Sequence, residues 1–207
     1  MTWIALTVLA TAALVWCERT GSAWRSIAKP VASAGFVGLA LTRSDGSTYD
    51  LLIVAGAALG MVGDVALLGA GRRSFLAGLA AFLAGHLAYL AAFAGTLAEA
   101  GPLPWLAALG VASAAALGGG SWRWLRPHLP GDLRLPVAAY VVVICTTMAV
   151  ALAIGSVHPT AAAGAVLFAV SDLAVARQAF VEESFLNRAV GLPLYYAGQV
   201  LIALSVG

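Results

Sequence analysis

Asp64, in the stretch LGMVGDVALLGAGRR from Leu59 to Arg73, and Asp172, in LFAVSDLAVAR, are carboxylates set inside apolar runs, whereas the other seven of the nine acidic residues fall in connections or near helix ends. An aspartate at the centre of a helix in hydrocarbon costs about 2.5–3.5 kcal/mol on insertion scales, so it normally faces a bundle interior and marks a site. Two such groups can divide acid–base work when their surroundings differ, one carrying a proton and the other staying ionised. The plainer reading is a pair of hydrogen-bonding groups that tie helices together.

The two acids have similar settings. GDVALL and SDLAVA each place a small residue before the acid and an alanine two after it, and each reaches an arginine within eight residues. A helical rise of 1.5 Å per residue puts Asp64 about 12 Å and Asp172 about 8 Å from those arginines, at one depth. Gly56, Gly60 and Asp64 recur at i, i+4 and i+8, a small-residue face that admits a neighbouring helix and aims the carboxylate inward. Gly164, Phe168 and Asp172 repeat the spacing.

Further polar groups stand at helical spacing in apolar company. FLAGLAAFLAGHLAYLAAF sets Phe75, Gly78, Phe82, His86, Tyr89 and Phe93 on one stripe. The aromatics alone suit core packing, but His86 can lend a proton or a hydrogen bond to a polar cavity. Tyr195 or Tyr196 shares a face with Gln199, and buried hydroxyl and amide groups need partners. Lys29, just before Pro30, either snorkels to the surface or binds a phosphate. Tyr140 and Thr147 share a face of a sixth apolar run and give a fainter signal.

The elements that must position these groups follow from composition. The chain has 207 residues, is 62% hydrophobic and 10% charged, and has a mean hydropathy of +0.96, the usage of a membrane protein. A bilayer core of about 30 Å needs about 20 helical residues. Eight runs meet the test: Thr2 to Cys17, Pro30 to Thr42, Leu51 to Gly69, Phe75 to Gly95, Pro102 to Gly119, Leu135 to Gly155, Thr160 to Ala179 and Arg188 to Val206. The second is short unless it starts near Trp24. The expected fold is all-α, a polytopic bundle of eight transmembrane helices forming one domain over residues 1–207, with no soluble domain and with the third and seventh spans parallel, as in a four-plus-four repeat.

Ten of the eleven basic residues, among them Arg19, Arg25, Lys29, Arg72, Arg73, Arg123, Arg126, Arg134, Arg177 and Arg188, fall in odd-numbered connections, and only Arg43 lies on the other side. Lysine and arginine in short loops set orientation, so the odd connections are expected in the cytoplasm and both termini outside, in the cell (inner) membrane. The N-terminal run lacks the basic start and small-x-small cleavage site of a signal peptide and is expected to be a retained span.

A net charge of +2, with no basic stripe or Gly-rich phosphate loop, gives no reason to expect a nucleic-acid partner. Cys17 and Cys145 have neither CxxC nor Cys/His spacing, so packing roles are expected. Three histidines, two of them (His128 and His158) expected on opposite sides of the bilayer, make a metal site unexpected, and no cofactor is called for.

Five motifs in order, KP at Lys29, GDVALL at Asp64, FLAGLAAFLAGHLAY around His86, LFAVSD at Asp172 and YYAGQVLIALS at the C-terminus, make the chain similar to the lysoplasmalogenase family, the YhhN-like multi-pass membrane proteins. The resemblance implies hydrolysis of the vinyl ether bond of lysoplasmalogen to a fatty aldehyde and a glycerophospho-ethanolamine or -choline, with Asp64 and Asp172 as the matching acids. That chemistry needs an acid to protonate the β-carbon and a base to activate water, and Asp172 as donor with Asp64 as base is the working assignment. Tyr89 and Tyr140, with His86, Tyr195, Tyr196 and Gln199, would bind or orient substrate and water, while Lys29 and loop arginines would hold the phosphate at a cytoplasmic opening. The expected partners are a lysophospholipid substrate and membrane lipids, with the oligomeric state open. The alternative is a proton-coupled small-solute or lipid transporter, which would show access from both sides; an inert scaffold leaves the two acids unexplained.

Overall fold

The computed structural model describes residues 1–207 and contains eight α-helices and no strand. They are α1 (Thr2–Thr20), α2 (Arg25–Arg43), α3 (Thr48–Ala66), α4 (Arg72–Ala100), α5 (Pro104–Leu125), α6 (Arg134–Ala153), α7 (Pro159–Phe180) and α8 (Phe185–Ala203), with two 3₁₀ turns, Arg126–His128 and Gly131–Leu133, between α5 and α6. The ends are written locally. Gly21 adopts φ 67° after α1, and Ser22 N–H closes back on Cys17 O at 3.0 Å. Ser47 and Ser184 accept from Asp50 N–H and Leu186 N–H at the starts of α3 and α8. Pro104 and Pro159 open α5 and α7, where a missing N–H costs nothing.

Several boundaries differ from the sequence expectation, α4 running from Arg72 to Ala100 beyond both expected limits, and three of the differences bear on the site. The second helix is full length, 19 residues, because it begins at Arg25 and absorbs Lys29 and Pro30. The third ends at Ala66, short of Gly69, so Asp64 sits in its last turn and the continuous helical rise to Arg72 does not exist. The fifth runs on through Gly118–Gly120 to Leu125, because Ser121 and Leu125 find buried positions beyond the glycines.

Five segments are long and apolar enough to cross a membrane: α1, α3, α4, Gly131–Ala153 (which contains α6) and α7. The other three have comparable lengths but give up hydropathy to polar groups. Arg25, Lys29 and Arg43 lie in α2, Asn187, Arg188, Tyr195, Tyr196 and Gln199 in α8, and a Gly-Gly-Gly-Ser stretch with Arg123 in α5. The chain is a multi-pass membrane protein.

Successive helices alternate in direction. At one end, rich in arginine, Arg188 at the start of α8 pairs with Glu18 near the end of α1, and Arg72 at the start of α4 pairs with Asp132 ahead of α6. At the opposite end, Arg43 Nε donates to Val206 O at 2.9 Å, the Tyr49 hydroxyl meets Ser205 Oγ at 2.8 Å, and Tyr49 stacks on His158 with centroids 4.4 Å apart. Neighbour packing runs α1–α2–α3–α4–α6–α7–α8 and back to α1, with α8 also touching α2 and α3. α5 stands outside this ring, packed on α6 with a slight touch on α7. Below the arginine-rich end, Phe36, Ile53, Phe93, Ile154, Phe168, Ile202 and Val206 form the fully buried core.

α3 and α7 approach their neighbours through missing side chains. A Cβ on Gly56 would sit 2.4 Å from the Tyr89 ring and one on Gly60 2.6 Å from Gln199 Nε2. On α7 and α8 the backbones themselves meet, since a Cβ on Gly164 would lie 2.6 Å from Gly198 O and one on Gly198 2.8 Å from Gly164 O.

Candidate functional site

A cavity of about 310 Å³ opens among α4 to α8 and the arginine-rich ends of α1, α2 and α3. Its mouth carries Glu18, Arg25, Gln178, Asn187 and Arg188, and its walls are mostly apolar, including Phe75, Leu79, Phe82, Leu117 and Ile144. Lys29, Asp64, Tyr140, Asp172 and Tyr195 all line it. Its deepest wall lies near the middles of α4, α6, α7 and α8, and no residue of the opposite helix ends contributes.

Asp64 is held by three donors, with a fourth hydroxyl close by. Lys29 Nζ lies 3.2 Å from Oδ1, with the two side chains 11% and 3% exposed. Ser33 Oγ and the Tyr195 hydroxyl donate to Oδ2 at 2.7 and 2.8 Å, and the Tyr196 hydroxyl stands at 3.5 Å while donating to Lys29 O at 3.2 Å. The last turn of a helix presents the negative end of its dipole, a poor place for a carboxylate. A cation and several hydroxyls supply the compensation that water would otherwise provide. Lys29 and Ser33 reach Asp64 together because they are one turn apart on α2. The snorkelling alternative for Lys29 does not occur: its ammonium turns inward to Asp64.

Behind Asp64 a string of hydrogen bonds runs inward. The Tyr89 hydroxyl donates to Gln199 Oε1 at 2.6 Å, Gln199 Nε2 donates to the Tyr195 hydroxyl at 3.2 Å, and Tyr195 donates to Asp64. Every donor points along the string toward the carboxylate, so each bond polarises the next. The glycine at position 60 is what lets the Gln199 amide reach Tyr195 past α3.

Asp172 has a different setting. Its side chain is 19% exposed, toward the cavity; the Tyr140 hydroxyl donates to Oδ2 at 2.8 Å, and His86 Nε2 lies 4.0 Å from the same oxygen. No lysine or arginine lies within ion-pair reach. His86 is 3% exposed, and neither ring nitrogen has a hydrogen-bond partner. Its ring is packed against Phe168, with centroids 4.4 Å apart, and edge-on to Tyr140 and Tyr89. Buried polar atoms without partners are uncommon and call for an explanation.

Of the residues singled out in the sequence, Lys29, Asp64, Tyr140, Asp172 and Tyr195 reach the cavity wall, while His86, Tyr89, Tyr196 and Gln199 lie one layer behind it. Thr147 Oγ1 donates to Val143 O and His86 O, which fixes the backbone beneath His86. The α4 stripe divides, Phe75 and Phe82 facing the cavity and Tyr89 and Phe93 the core. Ser33 and Glu18 were not anticipated. Ser33 could have been found as the residue one turn beyond Lys29, whereas Glu18, in the charged last turn of α1, carries no local mark of a cavity-facing role. No group of three or more His, Cys, Asp and Glu side chains converges anywhere in the chain.

The chain is similar to lysoplasmalogenase TMEM86B of Sus scrofa, with 40% identity over 79 residues, 38% of this chain and 34% of that protein. It is also similar to lysoplasmalogenase TMEM86B of Rattus norvegicus, with 38% identity over 84 residues, 41% of this chain and 35% of that protein. The matches thus span about a third of the length of these curated relatives. No solved structure matches. The YhhN family pattern, by contrast, matches residues 24–206, which take in every residue of the cavity except Glu18, and the chain belongs to the YhhN family.

Proposed function

We propose that this protein is a membrane-embedded hydrolase that cleaves the vinyl ether bond of lysoplasmalogen, releasing a fatty aldehyde and a glycerophospho-ethanolamine or -choline. The observation that carries the reading is that Asp64 and Asp172 line one apolar-walled cavity with unlike partners, an ammonium and hydroxyls for the first and a single tyrosine hydroxyl for the second. The printed name of the mammalian relatives supports the same reaction. A cavity closed at its inner end supports a hydrolase over a carrier, which needs access from both sides.

In this reading Asp64, paired to Lys29, is the ionised member, and Asp172, without a countercation, carries the proton. Asp172 protonates the β-carbon of the vinyl ether, and the oxygen lone pair forms an oxocarbenium ion at the α-carbon. The Asp64 charge stabilises that cation and takes a proton from the water that adds to it. The hemiacetal then collapses: its hydroxyl proton returns to Asp172, Asp64 delivers its proton to the departing glycerol oxygen, and both carboxyls end as they began. One water is consumed, and no metal or cofactor enters any step. His86, whose Nε2 stands 4.0 Å from the Asp172 carboxyl with no other partner, is the group placed to steady the transferring proton.

Phe75, Leu79 and Phe82 line the path of the alkenyl tail, and Arg25 and Arg188 stand at the mouth to meet the phosphate. The arginine-rich end faces the cytoplasm of the cell (inner) membrane by the charge rule, which puts both termini outside.

Purified protein in detergent, incubated with a lysoplasmalogen and separately with an ester lysophospholipid, tests the reading by aldehyde release. The expected result is aldehyde from the vinyl ether lipid, with turnover reduced roughly 100-fold or more in Asp64→Asn and Asp172→Asn, the scale of a lost general acid or base. Undiminished turnover in both variants removes the acid–base scheme, and cleavage of the ester lipid alone removes the substrate.

A further inference from the structure

The outer face of the α5–α6 turn holds a second concavity, of about 520 Å³, lined by Gly119, Trp122, Arg123, Arg126, Pro127 and Arg134. It shares no residue with the Asp64–Asp172 cavity, to which the same hairpin presents Ser121, Leu125 and Val137 from its inner side. Of the six other arginines near this end, three have carboxylate partners, Arg72 with Asp132, Arg177 with Glu182 and Arg188 with Glu18, and Arg19, Arg25 and Arg73 line no common hollow. Arg123, Arg126 and Arg134 are exposed, converge on one hollow, and have no carboxylate within ion-pair reach. Asp132, the acid next to them in sequence, is already taken by Arg72.

Three uncompensated guanidinium groups around one hollow repel each other, and a polyanion relieves that repulsion. Each guanidinium presents a planar fork that matches two phosphate oxygens. A hollow of this size with three forks suits two phosphates better than one. The surroundings point to a lipid as their carrier. α5 lies outside the helix ring, with Trp105, Leu109 and Val111 exposed on its first turns, and Leu135 and Val142 are exposed on α6, so both helices of the hairpin that carries the hollow present apolar side chains outward. Trp122 and Trp124, both half-buried, lie in the last turn of α5, and indole rings at the ends of spanning helices commonly anchor them in the headgroup layer.

We infer that the outer face of the α5–α6 turn binds an anionic phospholipid of the surrounding leaflet, one with two phosphates of the diphosphatidylglycerol class, through Arg123, Arg126 and Arg134. The site is separate from the cavity and stands whether or not the cavity hydrolyses a vinyl ether. Because the α5–α6 hairpin forms one wall of that cavity, a lipid clamped across its turn also fixes the wall.

Native mass spectrometry of the purified full chain in neutral detergent, titrated with tetraoleoyl diphosphatidylglycerol, tests the inference. Retention of one lipid is expected, weakened roughly ten-fold or more in the Arg123→Gln/Arg126→Gln/Arg134→Gln triple variant, given about a five-fold effect for a single basic residue at an anionic surface. An Arg19→Gln/Arg73→Gln/Arg177→Gln variant removes equal charge from the same end and is expected to bind as the parent does. Equal loss in this control, or equal retention of phosphatidylcholine, means diffuse attraction and overturns the site. Displacement of the lipid by millimolar pyrophosphate with unchanged affinity across both variants assigns the contact to free phosphate chemistry elsewhere and likewise overturns it.

Discussion

Removing Lys29 alone leaves the Asp64 carboxylate buried with only hydroxyl donors, and a charge stripped of its buried partner typically costs about 3–5 kcal/mol. Lys29→Met is therefore expected to lower the unfolding temperature sharply, and Lys29→Met/Asp64→Asn to recover a large part of the loss; a double variant no better than the single one would mean that the pair is not an energetic unit. His86 has the opposite profile. Neither of its nitrogens is satisfied, so His86→Phe should leave thermal stability equal or higher while lowering aldehyde turnover roughly ten-fold or more. Unchanged turnover would reduce His86 to a packing residue. The two acids could be read from the chain because a lone carboxylate in an apolar run has so few explanations. Which partner each acid takes could not: Tyr195 lies 131 residues from Asp64 and Tyr140 lies 32 from Asp172, and nothing local encodes a pairing at such separations.

Apolar run length was enough to find all eight helices, because a chain in lipid must satisfy its backbone internally wherever it crosses. The errors fall where local signals and packing disagree. α2 looks too polar to reach full length until its Lys29 and Ser33 are seen facing Asp64, and α5 looks finished at its glycine triplet until Leu125 is seen to pack. α3 stops early because Leu67 to Gly69 turn back on themselves, with Leu68 N–H and Gly69 N–H bonding to Val65 O and Ala66 O. Small residues were legible as close-packing faces, but not what they admit. On α3 they receive side chains, and on α7 and α8 they bring backbones together. The difference is measurable. Gly198→Ala confronts a carbonyl that cannot move aside and is expected to cost about 1–3 kcal/mol of stability. Gly60→Ala meets side-chain ends, the Gln199 amide and the Tyr195 hydroxyl, and no backbone, so it should cost less stability and more turnover, by breaking the Tyr89–Gln199–Tyr195 string. Thermal unfolding and aldehyde release on the two variants check the contrast, and reversed rankings would contradict the packing described.

At the scale of the whole bundle, the charge asymmetry makes a prediction about sidedness that the chain's own cysteines allow to be tested, since Cys17 and Cys145 are both buried. Arg73→Cys is expected to react with a membrane-impermeant maleimide only in inverted vesicles, and Gly46→Cys only in intact cells; labelling in the opposite sense would turn the bundle over. The mostly hydrocarbon walls of the cavity have one more consequence. An alkenyl tail that leaves the bilayer for those walls exchanges one oily medium for another, so the gain of about 0.8 kcal/mol per methylene that accompanies transfer out of water is absent. Preference among tail lengths should then be nearly flat when substrate is expressed as a mole fraction of the membrane, and selectivity has to reside in the few polar atoms near the glycerol.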